Sequence, residues 1–263
     1  MGQVKLVKDF LKGAFRLRPP VKEIVPRWEL SVVLSALAEG PYEPPNEASL
    51  QAWTWKTAFL LAITSAARVS ELQALDSHPD LLRVHRYKAT LRLNPAFLPK
   101  VTNVDYLNRE IELEAFYPDP RDRTQKAFHK LCPVRALRFY IAKTEGIRQD
   151  RQLFVSFQNR GGRMGMAVGK ATVSRWIKQT ILHAYRHCNR SIPVSSVKAH
   201  STRAVASSLA DIRGVSPADL CAAATWSSSS VFAKHYRLDM TASKSISKQV
   251  LTAAVADGRS NRP

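Results

Sequence analysis

Four short segments carry residue types suited to phosphate chemistry. AARVSEL holds Arg68, with Glu71 three residues on; FLPK holds Lys100; AHSTRAVASSLA holds His200 and Arg203; TWSSSSVFAKHYRL holds Trp226 and Tyr236. An arginine is permanently charged, and its planar fork matches phosphate oxygens. Histidine and lysine move protons, and a tyrosine hydroxyl can act as a nucleophile. Each segment alone also has a plain structural explanation. Arg68 and Glu71 fit an i,i+3 pair on a helix surface. Lys100 fits a solvated lysine, His200 a capping residue, Trp226 a core residue and Tyr236 an aromatic at a helix end. It is their joint occurrence that carries weight.

Other chemistries leave little trace. The chain has no GxxxxGK[ST], HExxH, GxSxG or paired CxxC pattern. His183 and His187 sit four apart beside Cys188, but zinc needs more ligands than these, and a solvated helix face accounts for them. RGGR at 160–163 reads as a turn. No metal and no cofactor are expected.

The charge points to a partner. The chain has 263 residues and a formal net charge of +19. Such a charge repels itself in a compact state, and a polyanion relieves the repulsion. Nucleic acid fits, because neutralising phosphates releases counterions. A membrane surface would call for a concentrated basic cluster or basic amphipathic helix, whereas the basic residues here are spread along the whole chain. No run of about 18 apolar residues is present. The first residues lack a signal-peptide core. Three cysteines make a disulfide framework unexpected, so an intracellular, reducing setting is expected.

The elements that must position these residues follow from periodicity. Helices are expected over 3–17, 28–38, 47–65, 70–75, 133–147, 171–188, 200–213, 216–224 and 228–237, with a further one over 241–255. LLRVHR (81–86), ATLRLN (89–94) and REIELEAF (109–116) alternate at period two and predict three strands of one antiparallel sheet. LFVS (153–156) suggests a stray strand. Residues 18–27 read as a proline-containing linker and 257–263 as a disordered tail. The expected class is mainly α with a small antiparallel β-sheet.

Taken together, the four segments resemble the tyrosine recombinase (phage-integrase) family. Its pattern is Arg in a [T/S]-G-x-R-x-x-E-L context, a hairpin Lys, H-x-x-R, a His or Trp, then Tyr. AARVSEL matches the first box, with Ala67 at the usual Gly; HSTR matches H-x-x-R; and Trp226 follows Arg203 by 23 residues, the family's usual gap. LKGAFRLRPP, FLPK, LCPVRAL, AHSTRAVASSLA and ATWSSSSVFAKHYRLD resemble most the recombinases of DIRS-like retrotransposons. Tyr236 follows Trp226 by ten residues, one more than in most of the wider family, a feature that DIRS-like members share.

The resemblance implies the tyrosine recombinase catalytic-domain fold and a role for each residue. Tyr236 would attack the scissile phosphate and form a 3′-phosphotyrosyl link. Arg68 and Arg203 would hold the non-bridging oxygens. His200 would handle the tyrosine proton, Trp226 would donate to the phosphate and buttress Tyr236, and Lys100 would protonate the leaving 5′ oxygen. Glu71 would orient His200 or Arg68. The implied partner is double-stranded DNA, bound by a homotetramer in the nucleus, for integration of a mobile element without metal or ATP. Residues 1–45 are expected to form an N-terminal arm, the remnant of a core-binding domain, and 46–256 the catalytic domain. The alternatives are a type IB topoisomerase and an inactive DNA-binding relic.

Overall fold

The computed structural model describes residues 4–19, 27–99, 110–226 and 228–238. Lys100, the expected helix over 241–255 and the tail over 257–263 lie outside them.

Helix α1 spans Lys5–Leu17 and α2 Leu30–Leu37. The apolar residues of α1, among them Leu6, Phe10 and Phe15, are exposed, whereas Val33 and Leu37 of α2 are fully buried. The body is organised around α3, Leu50–Ser65. Its start is fixed by Ser49, whose hydroxyl accepts from the Ala52 amide at 3.1 Å. Apolar residues surround this helix, and Trp53, Phe59, Leu60 and Leu61 are all buried, as expected for a helix packed on every side. Next come α4 (Val69–Gln73), strands β1 (Leu82–Val84), β2 (Lys88–Arg92) and β3 (Glu110–Glu114), then α5 (Arg123–His129), α6 (Pro133–Glu145) and α7 (Lys170–His187). Helices α6 and α7 pack on α3. The described residues continue with α8 (Ser201–Ile212), α9 (Pro217–Ala224) and α10 (Ser229–His235).

The strands form one antiparallel sheet in the order β1-β2-β3. Its register sets Leu82 against Leu91, Leu91 against Ile111 and Ala89 against Leu113. That face is buried. On the other face Lys88 pairs with Glu112 at 3.3 Å, and Arg92 pairs with Glu110.

The periodicity of the sequence located these elements, with three differences. Residues 153–156 form no strand of the sheet. The segment is held by isolated bridges, Asp76 to Gln152 and Val155 to Ala167, and Leu153, Phe154 and Val155 fill the core. Helix α5 was not anticipated from its short polar sequence, RTQKAFH; Asp122 caps it by accepting from the Gln125 amide at 2.8 Å. Residues 28–42 are also tied to the body. The Trp28 indole donates to Ser201 Oγ at 2.7 Å, the Glu29 amide donates to the Tyr185 hydroxyl at 2.7 Å, and Trp28, Val33, Leu37 and Tyr42 share one core with α3.

Glu43 completes that attachment. Its carboxylate receives both Nη groups of Arg135, at 2.7 and 2.8 Å, together with the ammonium of Lys56. Lys56 is fully buried and also donates to the Leu37 carbonyl at 2.8 Å. One buried carboxylate thus serves two cations.

Candidate active site

The first part of the site is made where α3 ends. Ala66 takes a left-handed conformation (φ 49°), and the Ala67 amide donates to Ser65 Oγ at 3.2 Å. This turn puts Arg68 at the N-cap of α4 and Glu71 at its third position. Glu71 Oε2 accepts from the Arg68 amide at 2.8 Å, and Oε1 accepts from Arg68 Nη1 at 2.6 Å. Glu71 is 2% exposed. The pair is therefore a clamp built on a buried carboxylate, which caps a helix and aims a half-buried guanidinium, rather than an exposed i,i+3 pair on a helix surface.

The second part is the first turn of α8. His200 and Arg203, three apart, share a helix face. His200 is exposed, whereas Arg203 is completely buried. Arg203 Nη1 donates to the Ala66 carbonyl at 2.9 Å, and Nη2 donates to the Ala224 carbonyl. The second arginine thus fastens the end of α3 to the end of α9. These two bonds use two of the five N–H groups of the guanidinium.

The third part follows α9. The Trp226 amide donates to the Cys221 carbonyl at 3.0 Å, and the Thr225 amide donates to that of Ala222 at 3.3 Å. This is a Schellman ending, and its left-handed position, usually glycine, is occupied by Thr225 at φ 49°, ψ 50°. For a β-branched residue this conformation costs about 1–3 kcal/mol. Thr225 Oγ1 accepts from Arg68 Nη1 at 2.6 Å and lies 3.4 Å from Glu71 Oε1; its carbonyl accepts from Arg68 Nη2 at 3.4 Å.

Trp226 lies against Phe232, with ring centroids 5.2 Å apart, and against Tyr236, at 4.8 Å. Tyr236 sits at the end of α10, half-buried, with the His200 ring 5.4 Å away at 60°. The Arg203 guanidinium lies 4.8 Å from the Trp226 ring centre and 5.3 Å from that of Tyr236, a double cation–π contact. Ser208 holds the chain beyond Tyr236. Its hydroxyl donates to the Tyr236 carbonyl at 3.4 Å and accepts from the Leu238 amide at 2.8 Å.

The structure therefore brings Arg68, Glu71, His200, Arg203, Trp226 and Tyr236 into one cluster. Lys100 lies outside the described residues. The other residues with possible ligand chemistry are elsewhere: His183 Nδ1 is 3.2 Å from the Tyr42 hydroxyl, and His187 Nε2 is 3.4 Å from Glu39. Sequence reasoning missed Thr225 and Ser208. The signal for Thr225 was available in principle, since a helix expected to end at 224 has no glycine or asparagine to end it.

Known structures resemble this fold. The crystal structure of XerA recombinase superposes on 93% of the chain and 73% of its own length, at 17% identity and a TM-score of 0.52. A lambda integrase dimer bound to a COC′ core site matches 92% of the chain and 60% of its own, at 13% identity and a TM-score of 0.46. A Flpe–Holliday junction complex matches 85% and 49%, at 14% identity and a TM-score of 0.42. The fold is that of the tyrosine recombinase catalytic domain. No protein-family profile matches the sequence, and no curated protein is similar to it in sequence.

Proposed function

We propose that this protein is a site-specific DNA recombinase that cuts and rejoins DNA through Tyr236. The observation that carries this reading is the setting of Tyr236. Its ring is bracketed by His200 at 5.4 Å and Trp226 at 4.8 Å, with the Arg203 guanidinium 5.3 Å from it. Residues from the start of α8 and from the end of α9 converge on one hydroxyl-bearing side chain. The net charge of +19 supports DNA as the partner, with basic residues on the phosphate backbone fixing register.

In the proposed reaction, Tyr236 Oη attacks phosphorus and its proton passes to His200. The bond from phosphorus to the 5′ oxygen breaks, and that oxygen takes a proton from Lys100. A 3′-phosphotyrosyl link and a free 5′-hydroxyl result. Rejoining is the reverse, with a 5′-hydroxyl attacking phosphorus and Tyr236 leaving. One phosphodiester replaces another, so no ATP is consumed.

Arg68, part-exposed and aimed by Glu71, supplies donors to the non-bridging oxygens. Arg203 lies against the Tyr236 ring and, with two of its five N–H groups on carbonyls, supplies the second guanidinium for the non-bridging oxygens. Trp226 supports the Tyr236 ring. No metal enters the scheme, because the cationic side chains supply the positive charge. The similarity of the segments to DIRS-like recombinases supports a role in integrating a mobile element, with a homotetramer on DNA in the nucleus. The same similarity supports reading residues 46–256 as the catalytic domain.

The test is covalent trapping on a nicked duplex, where the cut strand end diffuses away. A protein–DNA adduct is expected and should persist in excess EDTA at matched ionic strength. Tyr236→Phe should abolish the adduct and leave DNA affinity within about twofold, since one hydroxyl adds little to a salt-driven interface. DNA binding with no adduct under any condition would leave only a DNA-binding role.

A further inference from the structure

We infer that Thr225 is a positioning residue whose hydroxyl holds the Arg68 guanidinium in register with Tyr236. This rests on the recombinase reading above and extends it to a residue outside the recognised pattern. Thr225 occupies a backbone conformation that glycine adopts freely and a β-branched residue resists. A left-handed helix ending needs no side chain, so the hydroxyl must be sought elsewhere than in capping. Its two contacts reach across 157 and 154 positions of sequence, to Arg68 Nη1 at 2.6 Å and to Glu71 Oε1 at 3.4 Å. A hydroxyl has one proton and two lone pairs. Here it accepts from the cation and donates to the carboxylate, closing a ring of three groups.

The consequence is geometric. Arg68 Nη1 is held by Glu71 and by Thr225 Oγ1, and Nη2 is held by the Thr225 carbonyl. The plane of the guanidinium is thereby set, which leaves its remaining donors in a fixed direction. The adjoining residues bind the other half of the site. The Ala224 carbonyl accepts from Arg203, and the Trp226 ring lies on both Arg203 and Tyr236. Residues 224–226 thus link both arginines to the tyrosine. The Thr225 hydroxyl is the part of this link that touches Arg68 and Glu71 through a side chain.

Three variants separate this role from a structural one. Thr225→Gly relieves the backbone and deletes the hydroxyl. Thr225→Val keeps the shape and the branched Cβ but deletes the hydroxyl. Thr225→Ser keeps the hydroxyl. A purely structural role predicts that Gly is at least as good as Thr. Positioning predicts that Thr225→Gly unfolds at the same or a higher temperature yet cleaves a nicked duplex roughly 10- to 100-fold more slowly at saturating protein, with unchanged DNA Kd. Thr225→Val should share the slow cleavage, and Thr225→Ser should stay within about threefold of wild type.

A second measurement needs no cleavage: nitrogen-15 NMR of the Arg68 side chain, with its signals identified by their loss in Arg68→Lys. Hindered rotation about Cζ–Nε is expected in the wild type and in Thr225→Ser, with faster exchange of the two Nη groups in Thr225→Gly. Wild-type cleavage by Thr225→Gly, or unchanged rotation in it, overturns the inference. If the wild-type protein forms no adduct, the recombinase reading fails, and the rotation measurement alone decides whether Thr225 positions Arg68.

Discussion

The Arg203 guanidinium lies 5.3 Å from the centre of the Tyr236 ring while its two Nη groups donate to the carbonyls of Ala66 and Ala224. A fully buried cation thus ties the floor of the site together from one side chain. This arrangement makes Arg203 as much a structural tie as a source of charge.

Arg203→Lys is therefore expected to fail. A lysine ammonium is a point charge and cannot span two carbonyls in the fork geometry of a guanidinium. At least one buried carbonyl is left without its partner, at a cost of about 1–3 kcal/mol. Thermal unfolding should show this loss for both Arg203→Lys and Arg203→Ala, and adduct formation should fall in both. Arg68→Lys, with a part-exposed side chain, should lose adduct formation with a smaller change in stability. Equal stability of Arg203→Ala and wild type would refute the structural role.

The buried Glu43–Lys56–Arg135 cluster predicts a pH dependence of stability. Burial pushes the Glu43 carboxyl up, but Arg135 and Lys56 together outweigh it and hold the group below the usual carboxylate range. A carboxyl lowered by folding stabilises the protein above its unfolded value and loses that contribution as pH falls towards the folded one. Burial, opposed by Glu43 and aided by Arg135 and Lys130, lowers the Lys56 ammonium to about 8. Its charged form is thus disfavoured in the folded state, and the penalty fades as pH rises above about 8. Glu43→Gln leaves two cations without their anion and should cost about 3–5 kcal/mol in denaturant unfolding at pH 7. Its stability should also vary less than that of wild type as pH falls below about 5. Lys56→Met should cost less, because Arg135 still pairs with Glu43.

The assignment of Lys100 as general acid has a chemical test. A 5′ oxygen leaves poorly without a proton, whereas a bridging 5′ sulfur leaves readily as thiolate. Lys100→Ala should lose about 10²–10⁴-fold on ordinary DNA and approach wild-type speed on the sulfur substrate. Arg68→Ala should stay slow on both, since the phosphate charge still needs it. Lys88 is the rival. It lies at the start of β2 and pairs with Glu112 at 3.3 Å. Sulfur rescue of Lys88→Ala in place of Lys100→Ala would reassign the role. Rescue of neither would make Lys100 a phosphate contact.

Much of this protein can be read along the chain. Helix and strand periodicities located most of the elements, because the burial of one face repeats every few residues wherever it occurs. The alternation in 81–94 and 109–116 gave one antiparallel sheet, and the +19 charge pointed to a polyanion. The order of Arg68, His200, Arg203, Trp226 and Tyr236 singled out the residues that cluster. Spacing could also place Glu71 on the same turn as Arg68, since three residues is a local distance in a helix. What spacing could not supply is environment. The burial of Glu71 and Arg203, the use of the Ala66 carbonyl as an anchor for Arg203, and the part played by Thr225 all depend on helix ends that meet across 137 to 157 positions. Such a meeting is fixed by how α3, α8 and α9 pack, and no local pattern records it. The same holds for α2 and Glu43, which read in sequence as a helix of an N-terminal arm and the loop after it and join the core through the burial of Val33 and Leu37 and the pairing of Glu43 with Lys56 and Arg135.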